Sequence, residues 1–186
     1  MNVEIDVSNV ILRTERLTLR PWATDDLADF YEYASVDGVG QMAGWNPHKN
    51  IEESREILQM FISEKKTFAL ELNGKVVGSL GIEKYNEKEL PEFQNVRGRE
   101  IGYVLSKDYW GKGLMPEAVK AVVEYLFATV GLDFIVCGHF VENYQSQRAQ
   151  EKCGFKHYKL VRYTTRSGEV KDTWLSILLN PKSILE

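Results

Sequence analysis

Residues 109–118 read YWGKGLMPEA: Tyr109-Trp110-Gly111-Lys112-Gly113-Leu114-Met115-Pro116-Glu117-Ala118. An apolar run at 101–105 precedes them and a segment of helical period, 116–130, follows. The stretch therefore predicts a strand, a glycine loop and a helix. Gly111 and Gly113 let the backbone approach another group closely. Pro116 suits a first helical turn, where its missing N–H has no partner to lose. The free N–H groups of that turn, at the positive end of the helix dipole, make an anion site. Such a turn also occurs without a ligand, and the loop alone leaves both readings open. Two phosphate loops do not fit. The spacing GxxxxGK[ST] is absent, and Pro116 stands where GxGxxG needs its third glycine.

Composition sets the frame. With 186 residues, 44% hydrophobic and 27% charged, the chain reads as one domain, 1–186, able to bury a proper core. A formal charge of −4 gives no reason to expect nucleic acid. No apolar run approaches the length of a membrane span. The start, MNVEIDVSNV, lacks the apolar centre of a secretory signal. Cys137 and Cys153 form no CxxC pair and read as reduced thiols, so a cytoplasmic protein without a metal site is expected.

Read in order, residues 1–13 are a lead-in or an extra strand. In TERLTLRP, residues 14–21, Leu17 and Leu19 alternate with polar neighbours, which predicts a strand ended by Pro21. Thr24 is expected to cap a helix that buries Leu27, Phe30, Tyr31 and Ala34. A loop at 36–50 leads to a second helix with Ile51, Ile57, Leu58, Phe61 and Ile62 on one face. Asn73-Gly74, between alternating runs at 67–72 and 75–83, predicts a type I′ hairpin. The polar stretch 84–98 reads as a flap or mobile connection. Strand 99–105, helix 116–130 and strand 134–141 make a crossover between parallel strands. Asn143 is placed to cap a helix ending at Gly154. A last hairpin, 159–165 with 171–179, turns at Ser167-Gly168.

Residues 110–115 resemble the Q/R-x-x-G-x-G/A loop that holds the coenzyme A pyrophosphate in GNAT acetyltransferases. Trp110 is as in the RimJ/RimL branch, and Met115 replaces the second Gly or Ala. TERLTLRP is similar to the first strand of that branch. Residues 143–155 resemble the second GNAT signature, N-x-x-S followed by K-x-G-F, at Asn143, Ser146, Lys152, Gly154 and Phe155. The resemblance runs from about Arg13 to Leu179. It implies an α+β GNAT fold: a central mixed, mostly antiparallel sheet with helices on both faces. It implies acetyl-CoA-dependent acetylation of a primary amine, on a protein N-terminus or a small molecule, by direct transfer in a ternary complex. It admits a homodimer.

The same resemblance implies acetyl-CoA contacts at the backbone of Val104 and Leu105, at Trp110, Gly111, Lys112, Gly113, Leu114, Met115 and Pro116, and at Asn143 and Ser146. Acetyl transfer needs a neutral amine, donors for the oxyanion and support for the departing thiolate. Ser146 is the candidate donor to the thiolate, Asn143 the orienting residue and Glu100 the base. Glu83 and His139 are alternative bases, and Trp45 and His48 candidates to shape an acceptor pocket. Each has a plainer reading: Asn143 as a helix cap, Glu100 as an exposed strand residue, His139 as a structural histidine. The carboxylate that some RimJ/RimL enzymes carry after the G-F element has no match, since Tyr158 stands near that place. This keeps open a non-catalytic acyl-CoA-binding or regulatory module.

Overall fold

A computed structural model of the chain describes residues 1–183. Its central hairpin is set by Asn73 and Gly74, at φ 52° and 81°. Both are left-handed, as a turn of type I′ requires, and both residue types tolerate it.

In chain order the elements are β1 (Leu12–Arg13), β2 (Thr18–Pro21), α1 (Leu27–Ala34), α2 (Ile51–Glu64), β3 (Thr67–Leu72), β4 (Lys75–Glu83) and β5 (Gly98–Leu105), then α3 (Leu114–Tyr125), β6 (Phe134–Phe140), α4 (Tyr144–Lys152), β7 (Lys156–Thr164) and β8 (Val170–Leu179). The strands form one sheet in the order β1-β2-β3-β4-β5-β6-β8-β7. Among the strands of the described residues, only β5 and β6 pair in parallel. This is the expected α+β arrangement. The pleat sends alternate residues to opposite faces. Phe68, Leu80, Ile101 and Ile135 pack on one face against Leu114, Val119 and Val122 of α3. Ala69, Val76 and Val104 pack on the other against Phe30 of α1 and Leu58 of α2.

The β4–β5 contact is close enough to require glycine. A Cβ on Gly78 would lie 2.4 Å from the Val104 carbonyl oxygen. Backbone cannot yield there without breaking the ladder. Gly78→Ala is expected to cost about 2–3 kcal/mol, read from the urea unfolding midpoint.

Several expectations change. Thr24 does not cap α1. It lies in a 3-10 turn, Thr24–Asp26, that leads into the helix, and no side chain caps the N–H groups of α1; the Asp26 carboxylate accepts the Ala23 N–H at 2.8 Å and is clamped by the Arg20 guanidinium at 2.7 and 2.8 Å. Tyr33 rather than Tyr31 is buried with Phe30. The third helix starts at Leu114, two residues ahead of Pro116, and ends in a π-helical turn, Leu126–Val130, closed by Gly131 at φ 74°. Residues 84–97 are packed down rather than a loose flap. Tyr85 and Leu90 are buried, and the Phe93 ring sits 4.5 Å from that of Phe134. Those apolar residues, scattered among charges, give the stretch its anchors. The lead-in is likewise tied, through buried Val7 and a bridge from Asn2 to Gly98. Among the described residues no helix is long and apolar enough to cross a membrane.

Candidate active site

The site begins where the parallel ladder ends. β5 and β6 pair from Gly98 with Phe134 to Ile101 with Cys137, then part, although both strands continue. β5 stays paired with β4 as far as Leu105. A cleft of about 620 Å³ runs through the gap. The Ser106 N–H donates to the Val77 carbonyl at 2.8 Å, which fixes the phase of β5. Backbone groups alternate sides along a strand, so those of Val104, paired with Ser79, face β4. Those of Tyr103 and Leu105 face the gap. The Val104 backbone, expected to contact the ligand, is thus turned to the β4 ladder, although the residue is among those lining the cleft. The Leu105 carbonyl accepts Trp110 Nε1–H at 2.7 Å. Its N–H and that of Tyr103 remain directed into the gap.

The glycine loop covers one end. Gly111 and Gly113 take φ 73° and 76°. Among the described residues no backbone acceptor engages the N–H groups of Gly111, Lys112, Gly113, Leu114 or Met115. They form a row of donors at the start of α3. Met115 is 7% exposed and its side chain lies in the main core, so only its backbone is available there. Pro116 has no N–H, and its carbonyl accepts the Cys153 thiol at 3.5 Å. It adds no donor. Lys112 also departs from expectation. Its ammonium turns back onto the Asp108 carbonyl at 2.7 Å and over the Tyr109 ring, and it does not line the cleft. Its carbonyl instead accepts from Arg16 Nη1 at 2.8 Å, and Arg16 pairs with Glu117 at 2.6 Å. TERLTLRP thus holds the loop through Arg16 as well as supplying a strand. Arg148 and Lys152 bring positive charge to the cleft.

Ahead of α4, Asn143 caps the helix. Its Oδ1 accepts the Ser146 N–H at 3.1 Å, and its Nδ2 donates to the Met42 carbonyl at 3.3 Å. It positions the helix start and the 41–43 turn, and it also lines the cleft, with one Nδ2 hydrogen and one Oδ1 lone pair still to give. Ser146 Oγ lies 3.0 Å from the Tyr103 hydroxyl and 3.3 Å from Gln150 Nε2. Gln150 also meets His139 Nδ1 at 3.1 Å and the Gly138 carbonyl at 3.2 Å. Tyr103 and Gln150 were not among the expected site residues. The spacing of Gln150 four residues beyond Ser146 was the available signal, since such pairs share a helix face. His139 is held in this network. Burial lowers its pKa and keeps it neutral.

Glu100 sits on the other face, opposite Glu83 in the β4–β5 register. Its carboxylate reaches over Gly138, 3.6 Å from where a Cβ would stand. Burial, and then the Glu83 charge, push its carboxyl up to about 7. It is not a solvated strand residue. Glu83 is spoken for by Lys66 at 2.7 Å. Trp45 and His48 do not shape the cleft. Trp45 packs on Gly40, and buried His48 bonds Ser54 Oγ at 2.7 Å with its ring against Phe30. Loop aromatics here complete the core between α1 and α2. Val39, Met42, Phe140, Tyr163 and Thr173 form the wall beyond Glu100. Cys137 lines the cleft, but burial pushes its thiol well above the ordinary value, so it is no thiolate nucleophile. No cluster of metal-ligating side chains occurs among the described residues.

Comparisons with known proteins fit this geometry. The sequence pattern described as "Acetyltransferase (GNAT) domain" matches residues 16–156. A Bacillus subtilis (strain 168) protein named "Uncharacterized N-acetyltransferase YoaA" is 30% identical over 180 residues, 92% of this chain and 98% of that protein. A GNAT-family acetyltransferase from Bacillus anthracis superposes with a TM-score of 0.80 at 24% identity, over 93% of this chain and 100% of that one. Mycobacterium smegmatis RimJ, solved in complex with CoA-disulfide, gives 0.72 at 22% identity, over 94% and 89% of the two chains. At these identities the two structures establish the fold.

Proposed function

Because the chain belongs to the acetyltransferase (GNAT) domain family, whose enzymes use acetyl-CoA, we propose that it passes the acetyl group directly to a primary amine in a ternary complex. One observation carries the reading: a carboxyl poised at about 7 and a hydroxyl network stand on opposite faces of the sheet, joined through the β5–β6 gap. The pyrophosphate would lie on the N–H row of Gly111 to Met115 and the thioester in the gap.

Glu100 removes a proton from the acceptor ammonium. The free amine attacks the thioester carbon, forming the C–N bond. The oxyanion is met by backbone N–H of β5, where those of Tyr103 and Leu105 are directed into the gap. Collapse breaks the C–S bond as the nitrogen gives up its extra proton to solvent, and Ser146 donates a hydrogen bond to the thiolate, which takes its final proton from solvent. Cys137 and Cys153 are held protonated by burial, which favours direct transfer over an acetyl-cysteine. The acceptor amine is on a peptide N-terminus or a small molecule with an apolar neighbour for Met42, Phe140 and Tyr163.

Ser146→Ala tests the assignment. The hydrogen bond lost is to a charged group, worth about 2 kcal/mol, so kcat should fall about thirtyfold while the acetyl-CoA Kd is unchanged. Equal losses in both would reduce Ser146 to a binding or capping residue. Thiol release over a panel of N-terminal peptides and small amines identifies the acceptor class.

A further inference from the structure

We propose that Gln150 is a positioning residue that turns the Ser146 hydroxyl into a dedicated donor for the departing thiolate, with Tyr103 as its second support. The inference rests on the acetyl-CoA reading of the cleft. Gln150 is 2% exposed, and every polar atom of its side chain is engaged. The Gly138 carbonyl, 3.2 Å away, can only accept, so the NH₂ group faces it. The amide oxygen then faces His139 Nδ1 at 3.1 Å, and that nitrogen must carry the hydrogen. The remaining ring nitrogen, Nε2, is buried without a partner. It is therefore the bare one, because an orphaned N–H would cost more than an orphaned lone pair. The second NH₂ hydrogen goes to Ser146 Oγ at 3.3 Å.

Ser146 Oγ thus receives Gln150 from one side and has the Tyr103 hydroxyl at 3.0 Å on another. Burial holds Tyr103 protonated, so it can give its hydrogen to Oγ when negative charge appears. With two donors filling the oxygen's lone pairs, the serine hydrogen is left to point into the cleft. The same amide serves the gap. Ile101 pairs with Cys137, so a continued parallel ladder would give the Gly138 carbonyl to the Tyr103 N–H. Where the strands part, Gln150 satisfies that carbonyl instead. One side chain both meets the open edge of the ladder and aims the serine.

The test reads the thiol of bound CoA directly, by ultraviolet titration of its thiolate band, and needs no acceptor. The chain's own thiols stay silent, since burial pushes Cys153 up to about 11 and Cys137 well above its ordinary value. Bound CoA should titrate about one unit below free CoA. Ser146→Ala should abolish the shift. Gln150→Leu should abolish most of it although Ser146 is still present, and Tyr103→Phe part of it. Gln150→Glu keeps the shape but replaces the donor with an acceptor that captures the serine hydrogen, so it too should lose the shift, and it guards against misfolding of the leucine variant. A bound thiol that titrates as in the unmodified chain in either Gln150 variant overturns the proposal, including when CoA affinity alone has fallen. Failure of the unmodified chain to bind CoA overturns the acetyl-CoA reading, and this inference with it.

Discussion

Glu100→Gln is expected to lower kcat on the order of a hundredfold or more and to erase the acid limb of the pH–rate profile. In the unmodified chain that limb should rise through pH 7, because burial and the Glu83 charge push the Glu100 carboxyl to about 7. The same shift has a stability consequence of defined sign. The folded state binds this proton more tightly than the unfolded chain, whose carboxyl titrates near 4.5. The contribution is therefore fully present below 4.5 and lost as pH rises through about 7. Above that, the buried carboxylate destabilises the fold by up to about 3 kcal/mol. Glutamine never carries the charge. Glu100→Gln should therefore melt higher than the unmodified chain at pH 8 while being far slower. A variant that lost rate and stability together would make Glu100 a structural residue. An unchanged rate would move the base elsewhere, with Glu83 next in line.

Gly113→Val is expected to raise the Kd for CoA on the order of a hundredfold. The space around Gly113 is open, with only the Arg16 guanidinium 3.6 Å from a built Cβ. The effect comes from the backbone. Gly113 sits at φ 76°, a region that a β-branched residue enters at substantial cost. To escape it the loop must turn, and the N–H row from Gly111 to Met115 no longer converges. Gly113→Asn provides the contrast, since asparagine tolerates left-handed backbone and should keep most of the affinity. Calorimetry reads both. The same strain should lower the stability of the valine variant by about 1–2 kcal/mol and that of the asparagine variant by less, a loss too small to unfold the chain under the conditions of the titration. Equal weakening by Val and Asn would show that bulk, not conformation, matters at this position.

What was legible in the sequence is local chemistry. Asn73-Gly74 specifies its turn through two residues that accept positive φ. The glycine loop, the helix behind it and the parallel crossover follow from spacing. The three motifs carried the GNAT resemblance, which the family match bears out. What was not legible depends on where ladders stop and which side chains meet across the chain. Nothing in the alternation of β5 marks Ile101 as the last residue paired with β6. Nothing in the sequence therefore brings Tyr103 of the strand to Ser146 and Gln150 of the helix. Asn143 matched its motif, but its distant contact with the Met42 carbonyl, which ties the helix start to the 41–43 turn, could not be read from it. Thr24 is an acceptable cap locally, but it falls inside a 3-10 turn whose Asp26 is drawn to Arg20 of the neighbouring strand. Lys112 looked like a phosphate cation, but a nearby carbonyl and an aromatic ring draw it back.

Direct transfer to an amine is tested most plainly by initial rates of CoA release over a grid of acetyl-CoA and amine concentrations, with the intact mass of the protein followed in parallel. A ternary complex predicts reciprocal plots that intersect, and a protein that gains no acetyl group from acetyl-CoA alone. Parallel plots, with an acetyl group appearing on Cys137 or Cys153 before the amine is added, would contradict it.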